Sequence, residues 1–249
     1  MSQAFSDHFA PVANRYADFR PTCPPALFEW LASLVPRHDL AWDCAAGSGQ
    51  ASVDLAKHFE RVVATDASQA QIDAATPHPR IEYRVAPAEA SGLTDASTDL
   101  ITVAQAMHWF DCPRFFAEVR RVLRPNGALA VWTYGVLAVE GHQVDAQVQH
   151  FYRDTVGPYW PAERVHVETG YRTLPFPFAE ISAPPFNMEA SWTLTELLGY
   201  FRSWSATGRF AAANGYDPVT SLEQQLLPLW VHPEQQRRVS WPLSLRVGR

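Results

Sequence analysis

Hydrophobic positions in the first half of the chain switch repeatedly between two periods. Short runs of strand length stand at Leu40–Cys44 (LAWDC), Arg61–Asp66 (RVVATD), Ile81–Val85 (IEYRV), residues 99–104 (DLITVA) and residues 128–134 (ALAVWTY). The fourth is apolar along most of its length, as a strand covered on both faces should be. Between them lie segments of helical character. Residues 48–58 offer Val53, Leu55 and Ala56 to a core, and residues 68–75 begin with Ser68 as a natural N-cap. Residues 111–123 carry Pro113 in the first turn and Phe115, Phe116, Val119, Val122 and Leu123 on one side, then stop at RPNG. Strand–helix alternation of this kind predicts a doubly wound, mostly parallel sheet, and such sheets bind ligands beyond the carboxyl ends of their strands.

After Tyr134 the pattern changes. Residues 136–156 read as one long amphipathic helix, broken by GPYWP at 157–161. Residues 179–188 read as a strand interrupted by Pro184 and Pro185, which suits a sheet edge. Residues 193–207 and 218–231 read as helices, and residues 238–247 as a last strand, also with a proline. The expected fold class is α/β: a Rossmann-like, doubly wound, mostly parallel seven-stranded sheet with an antiparallel edge strand and a helical cap.

Composition narrows the function. Hydrophobic residues are 47% of the 249 and charged residues 18%, enough for one large core. The net charge of −6 argues against nucleic acid as a partner, which would want a basic face, and no N-P-P-Y-type motif is present. Cys23, Cys44 and Cys112 are odd in number and far apart, so neither a disulfide framework nor a zinc site is expected. The nine His show no H-E-x-x-H spacing, and no metal is expected. No secretory h-region and no run of membrane-span length is seen, so a cytoplasmic, reducing location is expected and no membrane partner.

The stretch LAWDCAAGSGQ, residues 40–50, concentrates the chemistry. Gly47, Gly49 and Ser52 sit at the G-x-G-x-x-G spacing of dinucleotide loops, with Ser in the third place. Asp66, at the end of the second strand, lies where a carboxylate accepts the ribose hydroxyls of an adenosine. An ordinary tight β–α turn with exposed acids is the alternative. Asp43 bears on the kind of cofactor. It stands at the loop entrance, where it repels a pyrophosphate and welcomes an ammonium group. S-adenosylmethionine has an adenosine, an amino-acid end, a cationic sulfonium and no phosphate.

At this point the chain resembles a known family. DCAAGSG is similar to the D-x-G-x-G-x-G motif of class I S-adenosylmethionine-dependent methyltransferases. ATDASQAQIDAA, APAEASGL, STDLITVAQAMHWFD and FFAEVRRVLRPNGALAVW follow in the family's order. QAMHWF, the segment FAPVANRYADFRPTCPPALFEWL and the stretch YFRSWSATGRF resemble the subgroup of trans-aconitate-type small-molecule methyltransferases. The likeness is strong over 5–132, weaker beyond, and returns at 197–210. Ala45 departs from the pattern: it occupies the place of the motif's first Gly, tolerable unless positive φ is needed there.

The resemblance implies roles. Asp43 and the backbone from Ala45 through Gly47 to Gly49 would hold the amino-acid end of the cofactor. Asp66 would hold the ribose, with Ala67, Ser68, Ala88 and Glu89 around the adenine. Gln105 and Ala106 would lie beneath the methionine portion. Tyr16 and Arg20 would close over it, and Tyr16 and Trp109 would offer aromatic faces to the sulfonium. It also implies one methyltransferase domain over 1–249. Its parts would be a helical lid (1–36), a cofactor-binding core (37–134), substrate-cap insertions (135–178 and 189–236) and edge strands (179–188 and 237–249).

Methyl transfer asks mainly for in-line placement and exclusion of water. A carboxylate acceptor needs no base. A hydroxyl or amine does, and His108 is then the best-placed imidazole, with a structural or orienting role as its alternative. Tyr159, Trp160, Arg172, Trp204 and Arg209 are candidate contacts for a small-molecule acceptor, the arginines because a carboxylate suits a guanidinium fork. The expected activity is methyl transfer from S-adenosylmethionine, leaving S-adenosylhomocysteine, to a small organic molecule, a carboxylic acid being one candidate. A non-catalytic regulator that binds the cofactor and an NAD-dependent oxidoreductase are the alternatives. The sequence does not speak to oligomeric state.

Overall fold

The computed structural model describes residues 21–249. Tyr16 and Arg20 lie outside the described residues, as does the expected lid up to residue 20. Five parallel strands carry the fold: β1 (Leu40–Cys44), β2 (Arg61–Asp66), β3 (Ile81–Val85), β4 (Thr98–Ala104) and β5 (Leu123–Tyr134), in the order β3-β2-β1-β4-β5. The order reverses between β1 and β4, which makes their carboxyl ends the topological switch point. Every residue of β1 is buried. Trp42, Ile101, Val103, Leu129 and Val131 face one side of the sheet, under Phe115, Phe116, Val119 and Val122 of helix α4 (Cys112–Val122). Ala41, Val62, Leu100, Ala128 and Trp132 face the other, under α1 (Pro25–Ser33) and α2 (Gln50–Leu55). The period-2 alternation of strand side chains is what feeds both layers. A short helix α3 (Gln69–Asp73) connects β2 to β3.

The second half is organised by one long strand, β9 (Arg237–Gly248). Residues 243–248 run antiparallel to β5, from Tyr134↔Leu243 to Leu129↔Gly248. Residues 237–242 leave that sheet and pair with β8 (Asn187–Trp192) and with the two-residue β6 (Ala138–Val139). Pro242, opposite Asn187, sits at the junction; lacking an N–H, it suits the place where β9 passes from one partner to the next. Helices α5 (His142–His150), α7 (Leu194–Arg202), α8 (Ser205–Asn214) and α9 (Pro218–Trp230) pack against this second sheet around Phe151, Phe201, Trp204, Trp230 and Trp241.

The expected fold class holds, and several boundaries move. Among the described residues, seven strands share the main sheet, the five parallel ones with β9 and Glu180–Ile181, and β6 and β8 extend it along the other half of β9. The expected strand at 179–188 is two pieces, β7 (Glu180–Ile181) and β8, separated around Pro184 and Pro185. Residues 189–192, assigned to a cap insertion, are therefore strand. The long helix expected over 136–156 starts at His142 and ends in a wider turn, Phe151–Thr155. The helix expected over 193–207 breaks at Trp204, whose backbone is extended (φ −72°, ψ 136°) while its ring packs on Phe201 at 4.7 Å and Phe151 at 6.3 Å. Thr193 and Glu196 close a capping box at the start of α7. The RPNG stop is part of β5, with Asn126 at φ 66°.

Asp99 ties the amino ends of the central strands together. Its buried carboxylate accepts from the backbone N–H of Asp39 (2.9 Å) and Leu40 (3.0 Å) and from Arg124 Nη1 (2.8 Å). Asp99→Ala leaves the buried Leu40 N–H without its acceptor and Arg124 with Asp39 as its remaining ion-pair partner, and should lower unfolding free energy by about 2 kcal/mol. Urea denaturation followed by fluorescence checks this; a loss below about 0.5 kcal/mol would remove Asp99 from that role.

Candidate active site

The loop after β1 is built from left-handed backbone. Ala45, Gly47 and Gly49 have φ of 55°, 57° and 86°. Gly49 is also sterically required, because a Cβ there would lie 2.6 Å from the Tyr83 hydroxyl. Ala45 pays the usual penalty of a Cβ in this region, so the one departure from the motif falls where positive φ is needed. The loop is pinned to β2 by Ala46 N–H donating to Thr65 O (2.9 Å). Asp66, half-buried at the end of β2, accepts from Gly47 N–H (Oδ2, 2.9 Å) and Ser68 N–H (Oδ1, 2.9 Å).

Asp43 is 1% exposed. Ser52 of α2 donates to its Oδ2 (2.6 Å) and Thr102 of β4 to its Oδ1 (2.9 Å). Burial raises its pKa to about 6, the two hydroxyls pulling the other way. Ser52, the residue that spoils the dinucleotide spacing, is thus what holds Asp43 in place.

Asp43, Ala45, Gly47 and Gln105 line one cleft at the switch point, together with Cys23, Phe28, Trp132, Tyr134 and Met188. Gln105, at φ 57°, turns the chain sharply out of β4. Its Oε1 accepts from the Thr133 hydroxyl and from Tyr134 N–H (3.0 Å), so its side chain is clamped to the end of β5. Among the described residues that line the cleft there are two carboxylates, Asp43 and Asp54, and no Lys, Arg or His. A cationic ligand fits these walls; a pyrophosphate does not.

The remaining expected positions divide. Ala88 and Ala106 are buried together in the sheet's α4-side core. Glu89 accepts from Asp111 N–H (3.0 Å) at the start of α4. Ala67 is half-buried beside Asp66, and Ser68 is buried. Trp109 is 42% exposed and packs on the His108 ring at 4.7 Å. His108 Nδ1 lies 2.9 Å from the Tyr171 hydroxyl. Burial, then the nearby charges of Arg164 and His166, lowers the His108 pKa to about 4, so the ring is neutral at pH 7. Tyr171 is buried, which drives its pKa far up, and its hydroxyl also meets Thr133.

The expected acceptor contacts fare unevenly. Trp160 is half-buried in a second cleft, beyond α5. Tyr159 stacks on Phe210 (5.0 Å) and accepts from Asn214 (2.8 Å). Trp204 belongs to the hydrophobic core. Arg172 and Arg209 are exposed and line neither of these two clefts. The sequence did not place Ser52, Thr102, Tyr134 or Arg164 at the site. Thr102 had a signal, being a hydroxyl residue in the apolar run of 100–104. Arg164 had none, because folding alone brings its charge near His108.

Residues 42–131 match the family model described as a methyltransferase domain. A protein of Dictyostelium discoideum named as a methyltransferase is 38% identical over 227 residues, which are 90% of this chain and 86% of that protein. The chain belongs to the methyltransferase family. A methyltransferase of Mycobacterium tuberculosis without assigned substrate is 36% identical over 126 residues, 50% of this chain and 51% of that one. The solved structure of a protein from Anaeromyxobacter dehalogenans, titled a type II methyltransferase, is 50% identical with a TM-score of 0.89, over 93% of this chain and 98% of that one. The present methyltransferase is of class I and uses S-adenosylmethionine as its methyl donor. Among the described residues, no helix is long and apolar enough to cross a membrane and no group of ligands could hold a metal ion.

Two outcomes follow from this geometry. Ala45→Gly relieves the left-handed strain and should stabilise the methyltransferase by about 1 kcal/mol in urea denaturation; an unchanged midpoint would mean the strain is absorbed elsewhere. Asp43 has a folded pKa above its unfolded one. Its contribution to stability is therefore full below about pH 4 and lost as pH rises through about 6. Asp43→Asn should match the wild type near pH 4 and exceed it at pH 8 by up to about 3 kcal/mol. A thermal-stability profile over that range checks the sign.

Proposed function

We infer that this methyltransferase methylates a small organic acceptor and that the acceptor is a carboxylic acid, as in the trans-aconitate-type subgroup that QAMHWF resembles. The observation that carries this is the state of His108. With a pKa near 4 and its Nδ1 engaged by Tyr171, it is a weak proton acceptor at neutral pH. No His and no Lys lines the cleft among the described residues. An acceptor that must lose a proton would lack a suitable base, whereas a carboxylate is already ionised and nucleophilic. The net charge of −6 further disfavours a polyanionic acceptor.

S-adenosylmethionine supplies an electrophilic methyl on a cationic sulfonium. The chain's own residues would bind and orient it. Asp43 and the 45–49 backbone would take its amino-acid end, and Asp66 the ribose hydroxyls. Ala67, Ser68, Ala88 and Glu89 would surround the adenine, while Gln105 and Ala106 would support the methionine portion. The helices and connections of 135–178 and 193–236 would form the acceptor cap, over a core at 37–134 and a lid reaching to residue 36. Cytoplasmic residence fits the free, buried cysteines Cys44 and Cys112.

Calorimetric titration with S-adenosylmethionine and with NAD tests the cofactor, and transfer from labelled S-adenosylmethionine to a panel of small acids, phenols and amines tests the acceptor. Labelled acids alone are expected; labelled phenols or amines would overturn the acceptor class. Asp66→Ala should weaken S-adenosylmethionine by about 10- to 100-fold, since two backbone donors of the loop also lose their acceptor. Binding to the wild type should fall as pH drops below about 6, where Asp43 takes up a proton and no longer favours a cation. A flat profile between pH 5 and 8 would remove Asp43 from the site.

A further inference from the structure

The second cleft holds a guanidinium that the methyl-donor site does not use. Arg164 lies over Trp160 at 4.6 Å and over Tyr152 at 5.6 Å. Its Nε donates to the Tyr152 hydroxyl (2.9 Å), which in turn donates to Glu168 (2.5 Å). That relay fixes the plane of the guanidinium through one nitrogen. The two terminal nitrogens, the fork that grips an oxyanion, make no hydrogen bond among the described residues. Trp160 lines the same cleft, and its Nε1 is buried with no partner among the described residues. The cleft therefore presents the Arg164 fork, backed by the Trp160 ring, as its unused donor group.

We propose that Arg164 and Trp160 form an anion subsite in the cap that holds a carboxylate of the methyl acceptor. The subsite rests on the methyl-transfer reading for its purpose, not for its existence. Charge selects the ligand class. Arg153 also lines the cleft, and Glu168 offsets one of the two cations, leaving room for one negative charge. A singly charged planar carboxylate fits; a phosphate dianion would meet the Glu168 carboxylate. Arg164 is close enough for its charge to act on His108 and Tyr171, and an anion seated there would act on the same pair with the opposite sign. An acceptor with two carboxylates could be held by one and methylated on the other.

The test is direct binding, by calorimetry, of benzoate, cinnamate and succinate, with benzamide and inorganic phosphate as controls. It is run with and without S-adenosylhomocysteine. At least one carboxylate should bind at millimolar concentration, and the controls should not. Arg164→Gln should weaken that carboxylate by about tenfold or more. Arg164→Lys should recover part of the loss, and Trp160→Phe should weaken binding severalfold. Unchanged S-adenosylhomocysteine affinity in each variant shows that the fold is intact. No carboxylate binding, equal binding to Arg164→Gln, or preference for phosphate overturns the subsite. Loss of S-adenosylhomocysteine binding in the wild type, with carboxylate binding retained, strikes the methyl-transfer reading and leaves the subsite standing.

Discussion

The arrangement of this site turns on a carboxylate kept dry at the end of the central strand. Asp43 joins three elements: its own β1, the following helix α2 through Ser52, and β4 through Thr102. Those hydroxyls offset only part of what burial takes away, and the group remains reluctant to ionise. The tension is useful. A site that holds an anion at a cost gains more from a cation than one whose acid is bathed in water. The left-handed loop that follows keeps side chains away from that charge, and Asp66 braces the loop from the neighbouring strand.

Much of this could be read in the residues, and the reason is locality. The five parallel strands announce themselves by period, and an acid at a strand's end lands on the ligand-binding edge of the sheet because every parallel strand has its carboxyl end there. The left-handed requirement at position 45 could be framed from the motif alone, though its fulfilment needed the backbone angle. What stayed hidden depends on distant packing. Trp204 sits mid-pattern in a helical stretch, but its ring packs into the aromatic cluster and its backbone is extended, so the helix breaks there. Arg172 and Arg209 looked as suitable as Arg164; nothing along the chain distinguishes a guanidinium packed over Trp160 and Tyr152 from one that faces solvent.

His108 shows the same lesson in chemical form. An imidazole after the fourth strand suggests a base, yet its surroundings make it a poor one. It is desolvated, it is tied to Tyr171, and the Arg164 charge opposes its protonation. The environment therefore selects among acceptors: it favours one that arrives already ionised, and the cap offers an idle guanidinium to meet it.

Strand β9 has a consequence for how the protein is made. It is the last of the described elements to leave the ribosome, yet it is the common partner of β5, β6, β7 and β8. Until it emerges, the parallel sheet has a bare edge at β5 and the second sheet has no centre. The cofactor half cannot simply finish first and wait. A nascent chain at that stage exposes unpaired backbone on both sides of the future junction, a risk for wrong pairing that ends when one twelve-residue segment arrives.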